Sequence, residues 1–94
     1  MKNFSVEYLP KATRALDKLD ERTRSILDGW IKNNLDGCEN PRLHGKALQG
    51  PLLQGPLRGK WSYRVGDYRI VAEIQDDKIL ILIVDVAHRS KVYR

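Results

Sequence analysis

Between Lys60 and Val86 the chain leaves few folds open. Three strand-like segments, about 60 to 65, 67 to 75 and 78 to 86, are separated only by Gly66-Asp67 and Asp76-Asp77. Gly-Asp between alternating segments signals a two-residue hairpin loop, and links this short join antiparallel neighbours. A two-residue loop at Gly66-Asp67 sets Val65 opposite Tyr68 and Arg64 opposite Arg69. Like charges directly across a sheet destabilise it, so a chain that keeps such a pair has use for an anion against it, phosphate first.

Strand alternation extends this register to whole faces. Trp61, Tyr63 and Val65 share a face with Tyr68, Ile70, Ala72 and Ile74, an apolar surface suited to packing on helices. The other face carries Lys60, Ser62 and Arg64, then Arg69, Val71 and Glu73, with Lys60 opposite Glu73 as an expected ion pair. Arg64 and Arg69 remain unmatched. If Asp76-Asp77 is also a two-residue loop, Val84 lies opposite Arg69, His88 joins the arginine face, and Asp85 falls on the helix side near Tyr68. A one-residue change in either turn inverts these faces.

The remaining elements read in order. Phe4 to Leu9 alternates as a first strand. Pro10 suits the first position of a helix, where its missing N–H costs nothing, and Ala12, Ala15, Leu16 and Leu19 follow at helical spacing. Asp20 is placed to cap a second helix whose Thr23, Leu27, Trp30, Ile31 and Leu35 form one stripe, ending near Asn33, Asn34 and Gly37. Residues 36 to 59 read as a long loop of the kind that is often functional. Ile79 to Val84 is apolar on both faces and is expected to be the central buried strand. The order β-α-α-β-β-β predicts an α+β fold: one antiparallel sheet, completed by the N-terminal strand, with two helices on one face.

Ninety-four residues support one core, hence a single domain over 1–94. No apolar run approaches a membrane span, the first residues lack a signal-peptide core, and the lone Cys38 fits a reducing compartment and a bystander's place in a loop. A cytoplasmic location is expected. The net charge of +5 is unevenly spread: residues 40 to 69 hold Arg42, Lys46, Arg58, Lys60, Arg64 and Arg69 against Asp67 alone, while the two flanking segments are each neutral. Such segregation favours a polyanion-binding surface.

Two guanidinium groups can stabilise the charge that builds on phosphorus during phosphodiester cleavage. His88 is a candidate acid or base. RNA brings its own nucleophile, the 2′-hydroxyl. No Asp, Glu and His cluster suggests a metal, so no cofactor is expected. The same residues also suit plain RNA or DNA binding.

The stretches HGKAL at 44 to 48, KWSYRVGDYRIVAEI at 60 to 74 and VAHRSKVY at 86 to 93 resemble the RelE/ParE superfamily of toxins, most closely its RelE-type branch. The resemblance spans nearly the whole chain. It implies helices against a curved antiparallel sheet, and a metal-free endoribonuclease that cuts mRNA in the ribosomal A site of a bacterium or archaeon. It also implies a RelB-like antitoxin from the same operon, with operator DNA met only through the toxin–antitoxin complex. By the same resemblance Arg69 contacts the scissile phosphate, Arg64 takes a basic position before it, His88 serves as acid or base, and Tyr93 stacks on or acts beside the cleaved nucleotide. Lys46, Arg58, Lys60, Arg89 and Lys91 are expected RNA contacts. Ser62 departs from the pattern, standing where some members carry a second lysine used in proton transfer, which leaves the general base open. A ParE-like toxin that inhibits DNA gyrase without cutting RNA shares the fold and is the alternative.

Overall fold

The computed structural model describes residues 3–47 and 60–91. Two helices pack on a five-stranded sheet. The strands are β1 (Ser5–Tyr8), β2 (Lys46–Ala47), β3 (Trp61–Val65), β4 (Tyr68–Gln75) and β5 (Leu80–His88); the helices are α1 (Pro10–Asp17) and α2 (Glu21–Asn34). In space the strands run β1-β5-β4-β3-β2.

Helix α1 starts on Pro10 and buries Ala12 and Leu16, as their spacing predicts. Asp20 caps α2, accepting from the Thr23 N–H at 3.1 Å and the Thr23 hydroxyl at 2.6 Å. Thr23 is thus part of the cap; the buried stripe is Leu27, Ile31 and, at the helix end, Leu35. Beyond it Gly37, at φ +81°, turns the chain back. Its N–H donates to the Phe4 carbonyl at 2.8 Å, and the Phe4 N–H donates to the Cys38 carbonyl at 2.8 Å. Only glycine adopts that φ without strain, so α2 is tied to the residue that launches β1. The core joins Leu16, Leu27, Ile31, Leu35, Tyr63, Ile70, Ala72, Ile81 and Ile83, each nearly or wholly excluded from solvent.

The sheet differs from expectation in three places. It is mixed: β1 pairs with β5 in parallel, Ser5 with Leu80 through Tyr8 with Ile83, while the other pairs are antiparallel. The physical reason is the long connection between them: α1 and α2 carry the chain from β1 to β2 at the far edge, and β3, β4 and β5 then lead back to the side of β1, a crossover of the kind parallel neighbours require. Within the expected loop, a 3₁₀ turn at Pro41–Leu43 and the edge strand β2 are ordered. Third, β5 is fully buried on one face only: Ile81 and Ile83 are inaccessible, whereas Leu80, Leu82 and Val84 are half-buried.

Candidate phosphate-binding cleft

The β3–β4 hairpin has the expected register: Val65 opposite Tyr68, Arg64 opposite Arg69, Tyr63 opposite Ile70. Gly66 sits at φ +60°, and Ile79 is the sole non-glycine with positive φ among the described residues. A positive first and negative second central residue is the pattern of a type II′ turn, whose twist matches the strands. Lys60 meets Glu73 across the strands at 2.7 Å. The Lys60 ammonium, then the Gln75 amide, hold the Glu73 carboxyl below its usual range. Lys60 is therefore committed to Glu73.

Strand β2 brings Lys46 opposite Ser62. Gly45, Lys46, Ser62, Arg64 and Arg69 line a shallow cleft of about 240 Å³ on the face away from the helices. Gly45, at φ +73°, is needed here because a Cβ would collide with the Ser62 carbonyl oxygen and the Tyr63 ring. The segment before β2 is fastened to the sheet by three side chains. The Tyr63 hydroxyl donates to the Pro41 carbonyl at 2.8 Å. Trp61 Nε1 donates to the His44 carbonyl at 2.6 Å. Arg42 grips Asp76 through both terminal nitrogens, each at 2.9 Å. His44 itself is exposed with its ring edge-on to Trp30, 5.8 Å between centroids, outside the cleft. Among the described residues, the ion pairs involve neither Lys46, Arg64 nor Arg69. Nor do any three His, Cys, Asp or Glu side chains gather into a set able to hold a metal ion.

The expected convergence of His88 with the arginines does not occur. Gln75 pairs with Leu80, because the link holds a 3₁₀ turn, Asp76–Lys78, followed by Ile79 in the left-handed region at φ +51°. That lengthens the loop by two residues, which leaves the faces unchanged. The sheet then has an irregularity: Ala72 pairs with Ile83 but Val71 with Asp85, so Val84 is an extra residue. One bulged residue reverses the alternation beyond it. Ala87, in place of Val84, faces Arg69, and His88 faces Tyr68, their rings edge-on at 5.2 Å.

His88 therefore lines a different groove, of about 370 Å³, against Lys11 and Arg14 of α1, Lys18 at its C-terminal cap, and Tyr68. Its Nδ1 accepts from the Ser90 N–H at 3.2 Å and pairs with the Ser90 hydroxyl at 2.9 Å. An accepting Nδ1 leaves the proton of the neutral ring on Nε2. Asp85, expected on the helix side near Tyr68, pairs with Val71 across the sheet; one carboxylate oxygen lies 3.4 Å from the Lys11 ammonium of α1 and the other accepts from the Val86 N–H at 2.9 Å. Arg89 is held at the hairpin tip: its N–H donates to the Asp67 carbonyl at 2.7 Å, and its Nε lies 3.6 Å from the Asp67 carboxylate. Lys91 closes the short turn Arg89–Lys91. Arg58, Tyr93 and the side chain of Lys91 lie outside the described residues.

Sequence reasoning missed the basic stripe of Lys11 and Arg14 on α1 with Lys18 at its end. Its spacing of three and four residues was available as a signal. The Arg42–Asp76 pair, 34 residues apart, had no local signal.

Comparison with known proteins agrees with this architecture. A family model described as the ParE toxin of the type II toxin–antitoxin system parDE matches residues 6–93. The chain is 30% identical over 91 residues to Toxin RelG of Mycobacterium tuberculosis, covering 97% of each chain. It is 32% identical over 91 residues to Toxin RelE of the same organism, covering 97% of this chain and 87% of that one. In the crystal structure of the toxin–antitoxin complex RelBE2 from M. tuberculosis, one chain superposes with a TM-score of 0.78 at 28% identity, covering 97% of both. The isolated E. coli RelE toxin, at 20% identity, shares the fold with a TM-score of 0.69 over 95% of this chain and 87% of that one.

Proposed function

We propose, because this chain belongs to the RelE/ParE superfamily of type II toxin–antitoxin toxins, that its toxic act is metal-free cleavage of mRNA, at the ribosomal A site, from the cleft of Lys46, Arg64 and Arg69. The observation that carries this reading is the cross-strand arginine pair, Arg64 exposed and Arg69 half-buried, joined in one cleft by a lysine. In the reaction the ribose 2′-oxygen attacks the adjacent phosphorus and the 5′-oxygen of the next nucleotide leaves. Negative charge grows on the non-bridging oxygens, and the two guanidinium groups stabilise it. Lys46 holds the flanking backbone.

His88, on the opposite face, acts at a distance: through Ser90 it holds the turn Arg89–Lys91, which precedes Tyr93 in the sequence. The Asp67–Arg89 contact fixes that turn beside the hairpin tip. Tyr93 is the candidate to stack on the cleaved nucleotide or to exchange its proton. The partner is an antitoxin, as in the structural relatives solved as toxin–antitoxin complexes. Its acidic or amphipathic segment would cover the basic surface.

Induction in cells with mapping of mRNA 5′ ends tests the reading: new ends within translated codons are expected with the native chain and none with Arg69→Ala. Growth arrest with intact transcripts rejects cleavage. The family model's description as a ParE toxin favours one second reading, the ParE-like alternative, for which the expected act is inhibition of DNA gyrase. Loss of supercoiling activity by purified gyrase, with untouched mRNA, selects it.

A further inference from the structure

Ser62 is 2% exposed, yet its hydroxyl has no hydrogen-bond partner. Its neighbours account for the burial: Lys46 of β2 and the preceding Gly45 lie against one side, Val71 of β4, itself 1% exposed, on the other. A buried hydroxyl without a partner loses its hydration and gains nothing in return. Apolar residues of the same size would remove that penalty. The residue lies at one place in the sheet where a partner from outside could remove it too, the cleft whose other side chains, Lys46, Arg64 and Arg69, are all cationic.

We propose that Ser62 is an uncharged phosphate ligand of this cleft, its hydroxyl donating to a non-bridging oxygen of the bound strand when Lys46, Arg64 and Arg69 close on it. The proposal rests on the cleft being the phosphate site. It assigns Ser62 a role distinct from proton transfer: a serine hydroxyl does not titrate near neutrality, so it orients the phosphate and leaves acid–base work to other groups. Lysine supplies a point charge and arginine a fork, each on a long flexible stem, whereas the short serine side chain holds its donor oxygen at a place fixed by the strand. Ser62 therefore selects the rotation of the phosphate, and with it which oxygens face the two guanidinium groups. In the free protein the residue is a local stability defect kept for a ligand.

These two consequences have opposite signs, and a residue with a merely structural role does not give both. The test uses the full chain and Ser62→Ala, with an all-2′-deoxy single-stranded oligonucleotide as a probe that cannot be cut, and with Arg69→Ala as control. Ser62→Ala is expected to weaken probe binding by roughly tenfold, while raising the melting temperature of the free protein by a few degrees. A lowered melting temperature overturns the proposal, because it means that the hydroxyl already has an internal partner. Probe binding that is lost in Arg69→Ala but unchanged in Ser62→Ala also overturns it and leaves the phosphate cleft standing. Binding unchanged in both overturns the proposal and the cleft reading together.

Discussion

The Arg64–Arg69 pair makes a quantitative prediction about the free protein. The two side chains rise from directly opposed positions of β3 and β4 on one face, with Lys46 sharing the cleft. Arg64→Gln removes one charge while keeping much of the aliphatic stem, and Arg64 is exposed, so little packing is lost. Two unit charges on the order of 6 Å apart in water repel by ~0.7 kcal/mol. Screening at physiological salt, with a Debye length of about 8 Å, cuts this to roughly half, and at 1 M salt to about a seventh. For a domain of this size ~0.7 kcal/mol corresponds to about 3–5 °C in melting temperature. Arg64→Gln should therefore melt about 3–5 °C higher than the native chain in low-salt buffer. The gap should shrink steadily as sodium chloride rises. Inorganic sulfate or a short oligonucleotide should stabilise the native chain more than the variant. Differential scanning calorimetry across a salt series reads all three. A variant that melts lower than native at every salt concentration would falsify the argument that the pair is held against its own repulsion. A gain that ignores salt would show that the stabilisation is not electrostatic.

In mRNA cleavage assays, Arg69→Ala should lose about 10²–10³-fold in rate, as expected for removing a group that stabilises developing charge. His88→Ala should lose no more than about tenfold, since its ring lies on the α1 face. A His88 loss as deep as that of Arg69 would place the ring in the chemistry. Tyr63→Phe strands the Pro41 carbonyl and should cost about 1–3 kcal/mol in denaturant melts. Leu27→Ala, at 1% exposure in the core, should cost about 2–5 kcal/mol by the same measurement. Glu73, held low by Lys60 and Gln75, contributes stability that is fully present above its ordinary value of 4.5 and is lost as pH falls through its lower native value. Lys60→Met should raise that native value toward the ordinary one in a carboxyl NMR titration and remove most of this pH dependence.

What the amino-acid sequence determined by itself is local. Gly66-Asp67 sets a two-residue loop, and that loop sets the register of β3 against β4, because hairpin pairing follows from turn chemistry within a few residues. The faces of both strands, the Lys60–Glu73 pair and the opposed arginines all follow from that one turn. Pro10 and Asp20 placed the helix starts for the same reason: a fixed φ and a cap act on the adjacent turn. What only tertiary structure decided depends on contacts between distant residues. The parallel pairing of β1 with β5 joins strands that have both helices and the other three strands between them in the chain, and β2 becomes a strand because Tyr63, Trp61 and Asp76 anchor the segment before it. The bulge at Val84 has no turn residue to announce it, yet it moves His88 to the far side of the sheet and brings Ala87 opposite Arg69. Side-chain period in a strand is two, so one unannounced residue is enough to reverse a face. For that reason the opposed arginines of the candidate phosphate cleft were legible along the chain, and the placement of their expected acid–base partner was not.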